Sequence, residues 1–124
     1  MVGEILAEVQ QARDGFESLA GLTQETIDKL LVGTGGMLDL GILIAKMEEL
    51  FTLVGKIKDS LVSEEDLLQD LVGLSIETNR VLIDISQTIG SGDIVLLIDL
   101  LQYELKPRIE QWAFLIEEIR KLFN

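Results

Sequence analysis

Residues 40–61, LGILIAKMEELFTLVGKIKDSL, repeat their apolar side chains in a strict heptad. The apolar positions of this repeat are Leu40, Leu43, Met47, Leu50, Val54, Ile57 and Leu61. Charged residues, among them Lys46 and Glu49, occupy the opposite side. Steps of three and four place side chains on one face of an α-helix, whereas a strand would show alternation. The stretch therefore predicts a long helix of coiled-coil-like pattern, whose apolar face other helices must cover.

The first 32 residues predict two more helices, separated by a glycine. Apolar residues recur at helical spacing along the first of them, at Val2, Ile5, Val9, Ala12, Phe16 and Leu19. Gly21 then predicts a helix end, because glycine is favoured just beyond the last helical residue. Thr23 follows as the N-cap of a short connecting helix over 24–32. The inward residues of this short helix are Ile27, Leu30 and Leu31.

The glycine-rich segment 32–36, VGTGG, comes between this short helix and the heptad. A dinucleotide-binding loop needs a preceding strand and glycines at its first, third and sixth positions, but the sixth position here is Leu38. A phosphate-binding loop needs Gly-Lys, and the next lysine is Lys46. A membrane span needs about 20 apolar residues, and every such window here includes Asp39 and a second charge. The segment therefore predicts only a break between helices.

Residues 63–89 predict another long helix. Ser63, followed three residues later by Asp66, matches a capping box. The predicted solvent stripe is Asp66, Asp70, Gly73, Glu77, Arg80, Asp84 and Gln87, and the predicted core stripe is Leu67, Leu71, Leu74, Thr78, Val81 and Ile85. Val72, Ile76 and Ile83 widen the apolar arc to roughly 220° at 100° per residue. We therefore expect this helix to be buried on two sides.

The last predicted helix spans about 94–122, with Ser91 or Asp93 as its N-cap. Pro107 lies in its middle, yet a solvent stripe from Asp99 to Arg120 keeps its phase on both sides of the proline. The helix is therefore predicted to be kinked at Pro107 and not to end there. The predicted core stripe is Ile94, Leu97, Leu101, Leu105, Trp112, Ile116 and Ile119.

These segments predict an all-α, antiparallel up-and-down bundle of four long helices and one short connecting helix. A chain of 124 residues has the length of a single domain, so we assign residues 1–124 to one helical-bundle domain. The hydrophobic content of 48% is too high for a disordered acidic chain.

Composition and charge exclude several kinds of chemistry. The net charge is −12, and the basic residues after residue 105 are interleaved with glutamates, which argues against nucleic-acid binding. The chain has no cysteine and no histidine, so thiolate nucleophiles, His/Cys zinc sites and the usual di-iron sites are excluded. The acidic clusters lie on predicted solvent stripes. We therefore expect no catalytic, cofactor or metal site and no enzymatic activity. The amino-terminal residues lack the pattern of a secretory signal, and no transmembrane segment is predicted, so we expect a cytoplasmic location.

Two arginines fall on predicted inward faces. Arg13 lies beside Val9 and Phe16, and Arg108 falls between Leu105 and Trp112. One interpretation is a polar pocket for an anionic group. The other is that each aliphatic stem packs while the guanidinium reaches an acid, such as Glu104 for Arg108.

A second apolar line on the last helix points to an interaction surface. It consists of Leu96, Leu100, Tyr103, Pro107 and Phe114, on the side away from the predicted core. Such a line exceeds what a monomeric bundle needs, unless the short connecting helix wraps this side of the last helix. We therefore predict an interaction module that self-associates as a homodimer or binds a partner helix through this line and Val72, Ile76 and Ile83. The alternative is a carrier of an apolar ligand in a bundle cavity, and the third is an enzyme of unidentified type.

Overall fold

The computed structural model describes residues 2–33 and 35–123, and all of its helices pack around one hydrophobic core. The helices are α1 (Val2–Val32), α2 (Met37–Asp59), α3 (Glu65–Ser91), α4 (Ile94–Asp99) and α5 (Lys106–Phe123), with a π-helical segment (Leu100–Leu105) between α4 and α5. Because α4, the π segment and α5 follow without a break, we treat residues 94–123 as the last helix. The predicted all-α bundle is confirmed.

Contacts between helices show that neighbours run antiparallel. Arg13 contacts Glu117, and Gln24 contacts Lys106, so α1 and the last helix run in opposite directions. Lys29 near the end of α1 pairs with Asp39 near the start of α2, at 2.8 Å between Nζ and Oδ2. The first half of α3, residues 67–77, lies beside residues 111–118 of the last helix, and its second half, residues 84–88, lies beside residues 96–100. These two helices therefore also run in opposite directions. The predicted up-and-down arrangement is therefore correct.

The predicted end of the first helix at Gly21 is wrong, because α1 continues through this residue. Gly21 is exposed and helical. The buried positions of α1 continue the heptad past the glycine, at Val9, Ala12, Phe16, Leu19, Thr23, Thr26 and Leu30. Thr23 is a core residue and not a cap; its hydroxyl donates to the Leu19 carbonyl at 2.7 Å. The short connecting helix is therefore the second half of α1, and Leu31, predicted inward, is exposed.

The glycine-rich segment does separate two helices, as predicted. Gly33, just after α1, has φ 72°, and Gly36, just before α2, has φ 97°. These positive φ values favour glycine, because a Cβ clashes with the backbone there. The heptad of α2 is confirmed in full, since Leu40, Leu43, Met47, Leu50, Val54, Ile57 and Leu61 are all buried.

The predicted N-cap is wrong for α3 and correct for α4. The capping box at Ser63 is wrong, because α3 begins at Glu65 with Glu64 in the N-cap position and no side-chain cap. Asp93 is the N-cap of α4, and its Oδ1 accepts from the Leu96 backbone N–H at 3.0 Å.

The last helix stays helical through Pro107, as predicted, and its distortion is the π segment that precedes the proline. Its fully buried residues Leu97, Leu101, Leu105 and Ile109 follow one another at steps of four. In a regular α-helix, three such steps would rotate the side chain by roughly 120° away from the core. The wider π turn absorbs this rotation, and the Lys106 N–H bonds to the carbonyl of Leu101, five residues earlier. Ile109 thereby fills a core position that the predicted stripe lacked, whereas Ile94 is partly exposed at the helix start.

Trp112 lies at the centre of the core and contacts three other helices. Its indole stacks on Phe16 of α1, with ring centroids 5.2 Å apart and planes 2° from parallel. Phe51 of α2 meets the same ring edge to face at 6.0 Å. The indole Nε1 donates to the Thr78 hydroxyl of α3 at 2.9 Å. One buried side chain thus joins all four parts of the bundle.

Candidate functional site

The apolar line predicted on the last helix is largely exposed. Tyr103 is 66% exposed, Phe114 is 70% exposed and Leu96 is 45% exposed. Leu100 and Pro107 are half-buried. These exposures leave large apolar side chains available to another molecule.

The structure places part of this line along two separate depressions between α3 and the last helix, which we describe as two parts of a groove. One part of the groove, of about 280 Å³, is lined by Asp84, Gln87, Thr88, Leu96 and Leu100. The other part, of about 450 Å³, is lined by Leu67, Gln69, Asp70, Gly73, Leu74, Glu77, Gln111, Phe114, Leu115 and Glu118. Tyr103 lies between the two parts along the last helix. We call these two parts together the acidic groove.

Three carboxylates of α3 follow the acidic groove at a regular spacing. Asp70, Glu77 and Asp84 are seven residues apart and all exposed. Seven residues make about two helical turns, so the three side chains share one face at intervals of roughly 10.5 Å. No lysine or arginine lines either part of the groove. One edge of the groove is therefore acidic and the other carries the apolar line.

Val72, Ile76 and Ile83 lie on the other side of α3, so they do not join the apolar line of the last helix. Ile76 is 57% exposed, Ile83 is 49% exposed and Val72 is half-buried. The expectation that this helix is buried on two sides is wrong, because no further helix covers this arc within the described residues. Val72 and Ile76 line a separate open groove of about 440 Å³ between α2 and α3, together with Phe51, Val54, Gly55, Lys58, Leu71, Ser75 and Asn79.

The two inward arginines form ion pairs with acids of neighbouring helices. Arg13 Nη1 donates to Glu117 Oε2 at 3.3 Å. Arg108 Nε lies 3.5 Å from Glu77 Oε2 of α3, and not beside Glu104 as the sequence had suggested. The hydrogen bond from Arg120, reinforced by Arg13, lowers the pKa of Glu117 to about 2. These contacts favour the interpretation that both arginines hold helices together.

A second concentration of exposed apolar residues, which the sequence had not indicated, lies at the end of the bundle near the glycine turn. Its members are Leu31, Val32, Met37, Leu38, Ile42, Ile94 and Val95. We call it the end patch. The sequence pattern predicts Leu31 and Ile94 in the core, but both are exposed. The signal that could have identified the patch is the run of apolar residues on both sides of the glycines.

The described ranges, 2–33 and 35–123, contain no helix that is long and apolar enough to cross a membrane. Within the same ranges, no three acidic, histidine or cysteine side chains are grouped so that they could hold a metal ion.

The fold thus defines a small, acidic, up-and-down helical bundle with open grooves between its helices. Residues 14–114 match a family described as a domain of unknown function, DUF8042. Because the match covers most of the 124 residues, the chain belongs to this family. No curated protein and no solved structure matches the chain. The matched range includes Thr78, Trp112 and most of the acidic groove.

Proposed function

We propose that this protein is a protein-protein interaction module that binds an amphipathic helix of a partner along the acidic groove. The observation that carries the proposal is the exposure of Phe114 in a groove that two helices already form, with Tyr103 also exposed on the last helix. A helix laid in such a groove buries apolar side chains at helical spacing without any change of the bundle. Exposed tyrosine and other aromatic side chains are typical anchors of protein interfaces. This role requires no catalysis, and we place it in the cytoplasm.

The length of the groove suits a helix as the ligand. From Asp70 to Thr88 the two parts of the groove together span 18 residues of α3, which is roughly 27 Å of helix. A partner helix of about five turns would reach both parts of the groove and Tyr103 between them. A short loop or a small molecule would contact only one part.

Charge favours a different protein over a second copy of this chain. Each copy carries a net charge of −12. In a symmetric dimer through the acidic groove, the carboxylates of α3 would come close to those of the other copy, which is unfavourable. We therefore prefer a partner protein to a homodimer, and the experiment below distinguishes them.

One observation supports the alternative function as a carrier of an apolar ligand. The groove between α2 and α3 is lined mainly by apolar side chains, and α2 and α3 pack less closely than the other neighbouring helices. Solvent extraction of purified protein, followed by mass spectrometry, tests this alternative. A stoichiometric apolar compound would favour the carrier over the interaction module.

Site-specific photo-crosslinking tests the proposed function. A photoreactive phenylalanine analogue is placed at position 114 in the acidic groove, at position 38 in the end patch, or at position 10 on a polar face of α1, and cells are irradiated. Position 114 should crosslink to an amphipathic helical segment of another protein, whereas position 10 should not. Crosslinking of position 114 to a second copy of this chain would show that the groove forms a homodimer and does not bind a partner helix. Partner crosslinks confined to position 38 would move the interaction to the end patch and contradict the proposal.

A further inference from the structure

We infer that the helix bound in the acidic groove is basic, with lysine or arginine residues seven positions apart beside its apolar stripe. This inference rests on the proposed function and specifies the chemistry of the partner. The three carboxylates Asp70, Glu77 and Asp84 lie along one edge of the groove at about two-turn intervals. A partner helix that lies along the groove repeats its own side chains at the same interval. Basic residues at a seven-residue spacing would therefore meet all three carboxylates in one register.

The charges around the groove leave Asp70 and Asp84 available, whereas Glu77 already pairs with Arg108. Asp70 and Asp84 form no ion pair within the part of the chain that the structure describes. Glu77 contacts Arg108 through one oxygen, and that arginine is half-buried. Arg80 is exposed on the same solvent stripe of α3, between Glu77 and Asp84, so a partner's basic residues must pass it. Among the described residues, the groove lining itself contains four acids, the three of α3 and Glu118, and no base.

Gly73 provides a place for a large apolar side chain of the partner. It lies between Asp70 and Glu77 on the same face of α3, and a Cβ built on it meets no other atom within 4 Å. The absence of a side chain there lets a partner helix approach the backbone of α3 between two carboxylates. The expected ligand pattern is therefore a basic residue, a bulky apolar residue and a second basic residue along one edge.

Binding of synthetic peptides tests the charge spacing. The probe is a fluorescein-labelled 21-residue helical peptide with leucines on one face and three lysines seven positions apart beside them. A second peptide has the same composition, but its three lysines lie on the opposite face. Fluorescence anisotropy gives the Kd of each peptide for the wild-type protein. We expect the first peptide to bind about tenfold more tightly, since each exposed ion pair contributes modestly and three of them add.

Two triple variants show whether the three carboxylates cause this difference. Asp70→Asn, Glu77→Gln and Asp84→Asn together should remove the roughly tenfold preference. The matched control is Glu117→Gln, Glu48→Gln and Asp59→Asn, which removes the same charge and, like Glu77→Gln, one interhelix ion pair, at positions that do not line the groove. The control should retain a clear preference for the first peptide. Equal effects of the two triple variants would show that only overall charge matters, which would overturn the inference.

A size test at Gly73 examines the groove without changing its charge. Gly73→Leu should weaken binding of the first peptide at least fivefold, while Gly41→Leu, at an equally open position on α2, should leave it unchanged. Unchanged binding by Gly73→Leu would contradict the predicted close approach.

The failure of this inference can be told from that of the proposed function. If both peptides bind equally and Phe114→Glu weakens the binding of both, the groove binds helices regardless of where their basic residues lie. The inference then fails and the proposed function stands. If neither peptide binds and position 114 gives no partner crosslink, both fail.

Discussion

Trp112 on the last helix donates its indole N–H to the hydroxyl of Thr78 on α3, at 2.9 Å, where both side chains are fully buried. The same hydroxyl donates to the carbonyl of Leu74 at 2.6 Å, so both polar groups of this contact are satisfied. A buried indole N–H without an acceptor would be unfavourable. Thr78 thus has a role at the core that its sequence position, on a stripe of leucines, did not reveal.

Replacement of Thr78 by valine should lower the free energy of unfolding by about 1–3 kcal/mol, because it orphans the indole N–H at nearly constant volume. Urea unfolding followed by circular dichroism measures the change. In a Trp112→Phe background the same replacement should cost much less, since the donor is absent. An equal cost in both backgrounds would mean that the hydrogen bond does not matter to stability.

Gly21→Ala should raise the free energy of unfolding by about 0.5–1 kcal/mol, because Gly21 lies within a continuous helix and has open space around it. Gly33→Ala should instead lower it by about 1–2 kcal/mol, because Gly33 has φ 72°. Thermal melts of the two variants check the pair. Destabilisation by Gly21→Ala would indicate that the first helix ends at Gly21, as the sequence pattern predicts.

The π segment should make the last helix tolerant of a deletion. Removal of Gln102 changes the core spacing to alternate steps of four and three, which a regular α-helix presents on one face. The deletion is combined with Pro107→Ala, because a proline inside a regular helix costs about 3 kcal/mol. This variant should melt within about 5 °C of the wild type. Deletion of Arg80 from α3 is the control and should unfold the protein, because it rotates the core residues on one side of the deletion away from the interior.

Glu117 should contribute to stability at neutral pH but not in strong acid. Its pKa in the folded protein is about 2, below its ordinary value of 4.5, because Arg120 and Arg13 stabilise the carboxylate. A lowered pKa means that the contribution is complete above pH 4.5 and is lost as the pH falls through 2. The melting temperature of Glu117→Gln should therefore lie below that of the wild type at pH 7 and converge with it near pH 2. Glu110→Gln, an exposed acid on the same helix, is the control and should show no such convergence.

Tyr103→Glu with Phe114→Glu should abolish binding at the acidic groove and leave the fold intact, because both side chains are mostly exposed. Circular dichroism should show unchanged helix content, and the basic peptide should lose most of its anisotropy change. Leu38→Glu, which removes an exposed apolar residue of the end patch, should bind the peptide normally. Unfolding of the double variant would place these side chains in the core and contradict the prediction.

The core face of α2 was predicted completely because an apolar residue occupies every position of its heptad. The heptad of α2 is complete, so its buried face followed directly from its period. In α1, two of the core positions hold Thr23 and Thr26, whose hydroxyls donate to carbonyls one turn earlier. A threonine in that position resembles a cap in the sequence, and it becomes a core residue only because its polar group bonds within its own helix.

The candidate site was only partly visible in the sequence because it requires two helices. The apolar residues of the last helix were recognised from their period alone. Asp70, Glu77 and Asp84 were assigned to a solvent stripe, which is correct, but their relation to Phe114 depends on how α3 packs beside the last helix. The π segment was missed because the polar residues of the last helix keep a regular period through it, while the core residues do not.

The π segment also has an evolutionary consequence. The last helix contains one residue more than a regular helix needs to pass from Leu101 to Ile109, and that extra residue is accommodated just ahead of the proline. Relatives that lack a proline at this position have no reason to keep the additional residue. Alignments of the family should therefore open a one-residue gap between positions 100 and 106 in those sequences, while the apolar residues on both sides remain in register with the same core.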